Sequence, residues 1–236
     1  LFKSPVFSAI NITGLALGLS TAIFIMLWVN DEFKVDSFHE NSSRLYRVLE
    51  SQTYTDGSIE TSNGTQGLLA RTLKDEIPEI EMASSMTWTV DLLVAVGSEA
   101  RKKSAKYVEP DFIKMFSFPL IKGNVSTLLS DPNAMVISEK MAKEYFGDQD
   151  PIGKVMRVNN DRDRHVTGVF RDAPASSSIP FDFLMPYDYW IRLNSWVTKW
   201  NNTGPRTMVM LRADANVDEV NKKIENFLTR KNPIPE

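Results

Sequence analysis

Few residues of this chain have the types and the spacing that catalysis or metal binding requires. The two histidines, His39 and His165, lie far apart, and neither has a further ligand at the spacing of a metal site. The chain has no cysteine, which excludes disulfides, thiolate metal sites and cysteine nucleophiles. It also has no G-x-S-x-G or S-x-x-K motif of a serine nucleophile. We therefore predict no catalytic residue, no cofactor and no metal, and a protein that is not itself an enzyme.

One stretch is similar to a phosphate-binding loop. Gly147 is followed by Gly153 and Lys154, but this spacing is one residue longer than in a P-loop. Val155 also stands where a serine or threonine would have to bind magnesium. We interpret Gly147 as the end of a helix and Gly153 as a turn residue.

The segment from Phe181 to Trp200 is unusually aromatic. Such a segment can belong to a core that crosses between subdomains, or it can form a surface that binds a partner protein or an amphiphilic ligand, because aromatic side chains dominate the energetics of interfaces. Both interpretations stay open at this stage. The candidate partner or ligand surface comprises Tyr187, Trp190, Trp196 and Trp200.

Composition indicates a folded protein without a nucleic-acid surface. The 236 residues are 42% hydrophobic and 24% charged, which is typical of globular domains. The formal net charge of -3 is too small and of the wrong sign for a nucleic-acid partner.

The first thirty residues form a distinct, uncharged and largely apolar segment. No charged residue occurs from Ser4 to Asn30, and an apolar helix over Val6 to Val29 would be about 36 Å long, enough to cross a hydrocarbon core. Lys3 before this run and Trp28 at its end favour a cytoplasmic N-terminus. A signal peptide would have a shorter apolar run and a small-residue cleavage site, and a buried core helix would have a polar stripe. We therefore predict a transmembrane helix.

Within this predicted span, Gly14 and Gly18 have the G-x-x-x-G spacing. Two glycines one turn apart allow a second helix to approach closely, so we predict that they pack against a partner helix in the membrane. The alternative is that they are small residues tolerated in lipid, since the motif is common by chance.

Hydrophobic periodicity and turn residues give an α+β pattern for the remainder. Turns are predicted at Asp56-Gly57, Gly97-Ser98 and Asn159-Asn160, and Ser138 is a predicted helix cap. Strands are predicted at 44–52, 81–96, 100–108, 134–137, 154–158, 165–170 and 207–212, and helices at 66–76, 110–116, 138–147 and 217–228.

The order of these elements suggests a layer built from both ends of the chain. A strand and helix near the start and a strand and helix near the end can form one βαβ-type layer, with the middle segment inserted between them. We predict a transmembrane helix with its flanks at 1–34, a first subdomain from 35–107 and 205–236, and an inserted mixed α/β subdomain at 108–204.

An ordered series of segments resembles the MacB-like, FtsX-like permeases of ABC transporters. The similarity covers nearly the whole chain, and the order of the segments is more specific than any one of them. The segments are 11–19 (NITGLALGL), 36–41 (DSFHEN), 44–48 (RLYRV), 107–123 (YVEPDFIKMFSFPLIKG), 138–154 with its DPIGK end, and 166–169 (VTGV).

This resemblance implies a fold and a function. It implies a periplasmic core with a porter-like subdomain and an inserted subdomain, anchored in the bacterial inner membrane by the first helix of a longer permease. The family works with a cytoplasmic ABC ATPase and a second permease copy or homologue, in some cases with a periplasmic adaptor or an outer-membrane channel. It implies export or mechanotransmission, in which ATP-driven movement of membrane helices moves the periplasmic domain.

Two functions are therefore considered for the chain. In the first, the domain of a permease transmits movement through the strand near Arg44 and the helix over 217–228. In the second, the chain is a membrane-tethered binding or sensor module that works without an ATPase.

Overall fold

The computed structural model describes residues 5–174 and 176–232. The chain divides into two compact units. The first lies within Leu1–Phe38 and Pro174–Ser178, and the second within His39–Ala173 and Ile179–Glu236. The first unit therefore combines the N-terminal segment with a short loop that lies far away from it in sequence.

The first unit is dominated by one long helix, α1 (Pro5–Glu32), none of whose side chains is buried. Among the described residues, α1 is the one helix that is long and apolar enough to cross a membrane, with a mean hydropathy of 2.1. The predicted helix over Val6 to Val29 is thus confirmed as a helix. Its exposed apolar surface suits a lipid environment better than water.

The second unit contains all of the described strands. Its elements, in chain order, are β1 (Leu45–Val48), β2 (Glu50–Thr53), β3 (Ile59–Ser62), α2 (Leu69–Glu76), β4 (Ile80–Met86), β5 (Val90–Val96), β6 (Glu99–Val108), α3 (Asp111–Met115), β7 (Leu120–Gly123), β8 (Ala134–Ser138), α4 (Glu139–Phe146), β9 (Val155–Val158), β10 (Arg162–Phe170), β11 (Phe183–Pro186), α5 (Tyr187–Leu193), β12 (Arg206–Leu211), α6 (Val217–Ile224) and α7 (Phe227–Lys231).

Both ends of the domain build one α/β layer, as predicted. Strands β1 and β4 each pair antiparallel with β12, so they run parallel to each other with β12 between them. With α2 as the connection, this is a split βαβ arrangement. The helices bury their apolar faces on this layer. The core residues are Leu69, Ala70, Leu73, Ile77, Ile80, Ala83, Val209, Leu211, Val220 and Phe227.

The middle of the chain forms a closed ring of strands. The order β6–β11–β8–β10–β9–β5 returns to its start because β5 also pairs with β6. Closure leaves these strands with no free edge on the ring. Strand β6 also pairs with β4, so one continuous sheet joins the ring to the layer. The division of this unit into 35–107 with 205–236 and 108–204 stays a prediction.

Several local predictions are confirmed by their hydrogen bonds. The Ser138 Oγ accepts a hydrogen bond from the Met141 N–H at 3.1 Å, and the helix that it caps ends at Gly147 with φ of +59°. Asn159 and Asn160 both have positive φ in the turn between β9 and β10. Asparagine tolerates this left-handed conformation, which suits the three-residue connection between Val158 and its strand partner Arg162.

The predicted single strand over 81–96 is wrong, because it is two strands. Met86 of β4 pairs with Val108, and Val90 of β5 pairs with Ala105. The chain therefore advances four residues from Met86 to Val90 while the partner strand β6 advances only three. This is a bulge, and it bends the chain from the layer into the ring.

The predicted helix over 217–228 is also two helices. Helix α6 ends before Glu225, and Asn226 adopts a left-handed conformation with φ of +58°, which stops the i to i−4 hydrogen-bond ladder. Its start is as predicted, since Asn216 Oδ1 accepts hydrogen bonds from the N–H groups of Asp218 and Glu219.

Candidate functional site: the membrane helix and the aromatic cluster

Gly14 and Gly18 lie on one face of α1 with open space beside them. A Cβ atom added at either position would meet no atom within 4 Å. The nearby hydroxyl groups of Ser20 and Thr21 donate to carbonyl groups one turn earlier, at 2.8 and 2.9 Å. These polar groups are thus satisfied within the helix, and the packing of Gly14 and Gly18 against a second helix stays a prediction.

The four residues of the candidate aromatic surface divide into two sets. Tyr187 and Trp190 are 1% and 6% exposed and belong to the core of the ring, with their ring centroids 5.4 Å apart. Trp196 packs edge to face on Trp190 at 5.8 Å and is half-buried. Trp200 is also half-buried, but it packs against the core of the layer. The structure therefore brings three of the four together and places Trp200 elsewhere.

The exposed member of this group is Trp88, which sequence reasoning missed. It lies in the bulge between β4 and β5, packs edge to face on Trp190 at 5.7 Å and is 46% exposed. Its position about a hundred residues before the others hides the relationship in the sequence. We call Trp88, Trp190 and Trp196 the tryptophan cluster.

An ionic network, of which only Glu109 is buried, lies between α2 and α5. Arg71 Nε donates to Glu109 Oε1 at 2.5 Å, and its Nη2 donates to Asp188 Oδ1 at 2.5 Å. The other oxygen of Glu109 accepts from the Ser85 N–H at 3.1 Å. Burial raises the pKa of Glu109 above its ordinary value, and the positive charge of Arg71 opposes this shift. Arg71 on α2 of the layer thus contacts Asp188 on α5 of the ring, and the same guanidinium group neutralises Glu109.

Lys106 is a buried cation without a carboxylate partner among its described contacts. It is 3% exposed, and its Nζ donates to the carbonyl of Thr87 at 3.4 Å. Burial, together with the nearby charge of Arg206, lowers its pKa to about 8. The site has no acid or nucleophile that would give this lysine a catalytic partner within the described part of the chain.

Other candidate features of the described residues are metal-ligating groups, the two histidines and the loop at Gly153. They contain no group of three or more His, Cys, Asp or Glu that could hold a metal ion. His39 Nδ1 accepts from the Ser117 N–H at 3.2 Å, and His165 lies 3.9 Å from Asp131. Gly153 has φ of +76° in a turn, and no helix of the described chain begins directly after it.

Two adjoining grooves flank the edge strand β1. One, of about 440 Å³, is lined by β2, α2, α6 and α7, and the other, of about 330 Å³, lies between β1 and α6. Val48, Leu49, Asn221 and Ile224 line both grooves. Helix α6, which we predicted as a transmission element, therefore borders a groove beside β1 while its Val220 stays buried in the core of the layer.

Comparison with protein families identifies the arrangement. The family model described as the MacB-like periplasmic core domain matches residues 8–227, from within α1 to the start of α7. The chain belongs to this family. Membership in a family of permease domains accounts for the occurrence of a long apolar helix together with an extracytoplasmic core domain.

Solved structures of the same fold include members of the MacB-like type. A domain described as a permease from Porphyromonas gingivalis is 25% identical, with a TM-score of 0.70 over 83% of this chain and 84% of that one. The periplasmic region of MacB from Actinobacillus actinomycetemcomitans is 16% identical, with a TM-score of 0.60 over 80% and 84%. The extracellular domain of the ABC-type transporter YknZ from Gram-positive bacteria is 14% identical, with a TM-score of 0.59 over 81% and 96%. A comparison with curated protein sequences finds no match.

Proposed function

We propose that this chain is the permease part of an ABC transporter that couples ATP hydrolysis to movement in the periplasm. In this function α1 crosses the bacterial inner membrane, and the second unit lies outside it. A cytoplasmic ATPase subunit hydrolyses ATP, and the membrane helix transmits the resulting movement to the domain. The output is export or mechanical work on a periplasmic component.

One observation carries this proposal. The family match begins inside α1 and ends at the start of α7, so one family model spans most of the apolar helix together with the domain, which favours a permease over an unrelated anchor and ectodomain. A sensor module without an ATPase would need its own signalling partner, and no feature of the described residues favours one.

The proposed partners follow from the same assignment. The open glycine face of α1 is suited to a second permease copy or a homologue, because close helix packing in lipid depends on small residues. A periplasmic adaptor or an outer-membrane channel would receive the movement. The exposed ring of Trp88, supported from behind by the rest of the tryptophan cluster, is one surface for such a contact.

Purification of the full-length protein from membranes tests the proposal. We expect an ABC ATPase to co-purify in a fixed ratio and the complex to hydrolyse ATP in a vanadate-sensitive manner. A protein truncated before residue 35 is the control, and it should lose the ATPase. A full-length protein that purifies without an ATPase and retains its cellular function would contradict the proposal.

A further inference from the structure

The connection between α1 and the second unit contains an unexpected hydrogen-bonded clamp. The backbone N–H of Asp36 donates to the carbonyl of Ser176 at 3.0 Å. The Asp36 carboxylate in turn accepts two hydrogen bonds from Ser178, one from its N–H at 2.8 Å and one from its Oγ. A residue just beyond the membrane helix is thus held at three points by a loop 140 positions later in the sequence.

The clamp requires an unusual backbone. Asp36 has φ of +56°, a left-handed conformation that costs energy for most residues other than glycine but is tolerated by aspartate. The hydrogen bonds to Ser176 and Ser178 offset that cost. This geometry explains why the chain turns at Asp36 and not within α1.

The segment between α1 and Asp36 is continuously hydrogen-bonded. The helical turn does not end at Glu32 but continues as turns up to Ser37. A displacement of the end of α1 therefore reaches Asp36 through backbone hydrogen bonds. The donor and acceptor pairs are Phe33 with Val29, Lys34 with Asp31, Val35 with Glu32, and Ser37 with Lys34.

Both chain exits from the clamp lead to one aromatic core. His39 packs edge to face on Phe118, with ring centroids 5.4 Å apart. Phe181, three residues after Ser178, packs edge to face on the same Phe118 at 5.0 Å. His39 and Phe181 are 4% and 8% exposed. On each side of the clamp, the chain therefore enters the same aromatic core of the second unit within a few residues.

The two exits reach different places in the sheet. After His39 the chain enters β1, which is the edge strand of the layer. After Ser178 it enters β11, which lies inside the closed ring between β6 and β8. The edge strand has one neighbour, whereas β11 is held on both sides.

We infer that the Asp36 clamp gives movement of α1 a second, direct route into the domain, through Ser178 into β11, in addition to the chain connection into β1. This inference rests on the proposed function, since it describes how the movement is transmitted. The clamp makes Asp36 a positioning residue for transmission and assigns it no catalytic role.

Substitution at Asp36 separates the side chain from the backbone conformation. Asp36→Gly retains the left-handed backbone and removes both carboxylate hydrogen bonds. Asp36→Asn is the matched control, because asparagine tolerates the same conformation and its Oδ1 accepts from the Ser178 N–H. Thermal unfolding and ATP hydrolysis of the complex should be close to those of the wild type for both variants.

Hydrogen exchange in the full transporter, with and without ATP turnover, is the measurement. In the wild type we expect ATP-dependent exchange changes in peptides over 42–53 and over 176–186. In Asp36→Gly the change over 176–186 should fall at least about twofold while that over 42–53 persists, and Asp36→Asn should behave as the wild type.

The possible results distinguish failure of the clamp inference from failure of the proposed function. An unchanged ATP response over 176–186 in Asp36→Gly would overturn the clamp inference and leave the proposed function intact. Absence of any ATP response in the wild-type domain would overturn the proposed function, and the transmission route with it.

Discussion

Gly67 lies where the layer and the ring are in close contact. Its carbonyl accepts hydrogen bonds from the Ser85 Oγ at 3.3 Å and the Tyr187 hydroxyl at 3.2 Å. A Cβ atom there would lie 1.9 Å from Val197 Cγ1 and 2.7 Å from the Val197 carbonyl oxygen. The backbone oxygen cannot move away by a rotamer change, so the two parts would have to separate.

Gly67→Ala should therefore destabilise the domain by about 1 to 3 kcal/mol, the usual cost of overpacking. Gly64→Ala is the control, because its Cβ would lie 3.4 Å from the nearest atom, in ordinary contact. Urea unfolding of the detergent-solubilised protein, followed by tryptophan fluorescence, measures both. Equal stability of the two variants would contradict the contact described here.

The buried Lys106 predicts that the stability of the domain depends on pH. Its pKa is about 8 in the folded protein and 10.5 ordinarily. Between these values the unfolded chain holds a proton that the folded chain releases, so wild-type stability rises with pH across this window. Lys106→Met should be more stable than the wild type by about 1 to 3 kcal/mol at pH 7, and the difference should shrink towards pH 10.

Chemical unfolding at several pH values checks this expectation. The exposed Lys102 provides the control, because Lys102→Met should change stability little at any of them. A pH-independent difference between wild type and Lys106→Met would show that Lys106 is not an uncompensated buried charge.

Helices and strands whose ends are marked by nearby residues could be predicted from the sequence. Strands whose position depends on partners far away in the chain could not. Helix α4 carries its cap at Ser138 and its stop at Gly147, and α1 is defined by its apolar length. Strand β11 was missed because its four buried residues have no alternation, and its partners β6 and β8 lie far away in sequence. The closure of the ring through β5 and β6 likewise has no local signal.

The candidate surface shows the same limit. Aromatic density marks the segment over 181–200, but density does not distinguish core from surface, and Tyr187 and Trp190 are core residues. Trp88 is exposed because a bulge displaces it from both strands. Only the register of β4 and β5 on β6 reveals that bulge.

Helices α2 and α5 are joined by Arg71, whose loss would leave Glu109 buried without its cation. Arg71→Met should cost about 1 to 3 kcal/mol near pH 7, below the cost for a fully buried pair because Arg71 is itself partly exposed, and less at low pH, where Glu109 can take up a proton. Adding Glu109→Gln should recover part of the loss. Thermal unfolding at pH 5 and pH 7.5 distinguishes this from simple loss of packing, which would be equal at both.

Helix α1 gives a prediction in the membrane. Gly18→Ile should reduce packing of α1 against its partner helix, whereas Ala16→Ile, on the opposite face, should have little effect. Since the chain has no native cysteine, Thr21→Cys, one turn after Gly18, allows oxidative cross-linking in membranes. Equal loss of cross-linking in both isoleucine variants would contradict a specific glycine face.

At the scale of the whole molecule, the described chain consists of an exposed apolar helix and a separate unit that contains the described strands. The sheet runs without interruption from the edge strand β1 through the layer and into the ring. Such a sheet transmits a displacement as a unit better than separately packed subdomains would. This continuity is what the proposed transmission of movement through the second unit requires.

The central claim is that ATP hydrolysis by a partner moves this domain relative to the membrane. A donor dye on Ser98→Cys, at the exposed turn between β5 and β6, and acceptor dyes on lipid headgroups measure that distance by energy transfer in the reconstituted transporter. We predict a change in transfer efficiency on adding ATP, and its reversal or arrest with vanadate. An unchanged efficiency while the complex hydrolyses ATP would contradict the account.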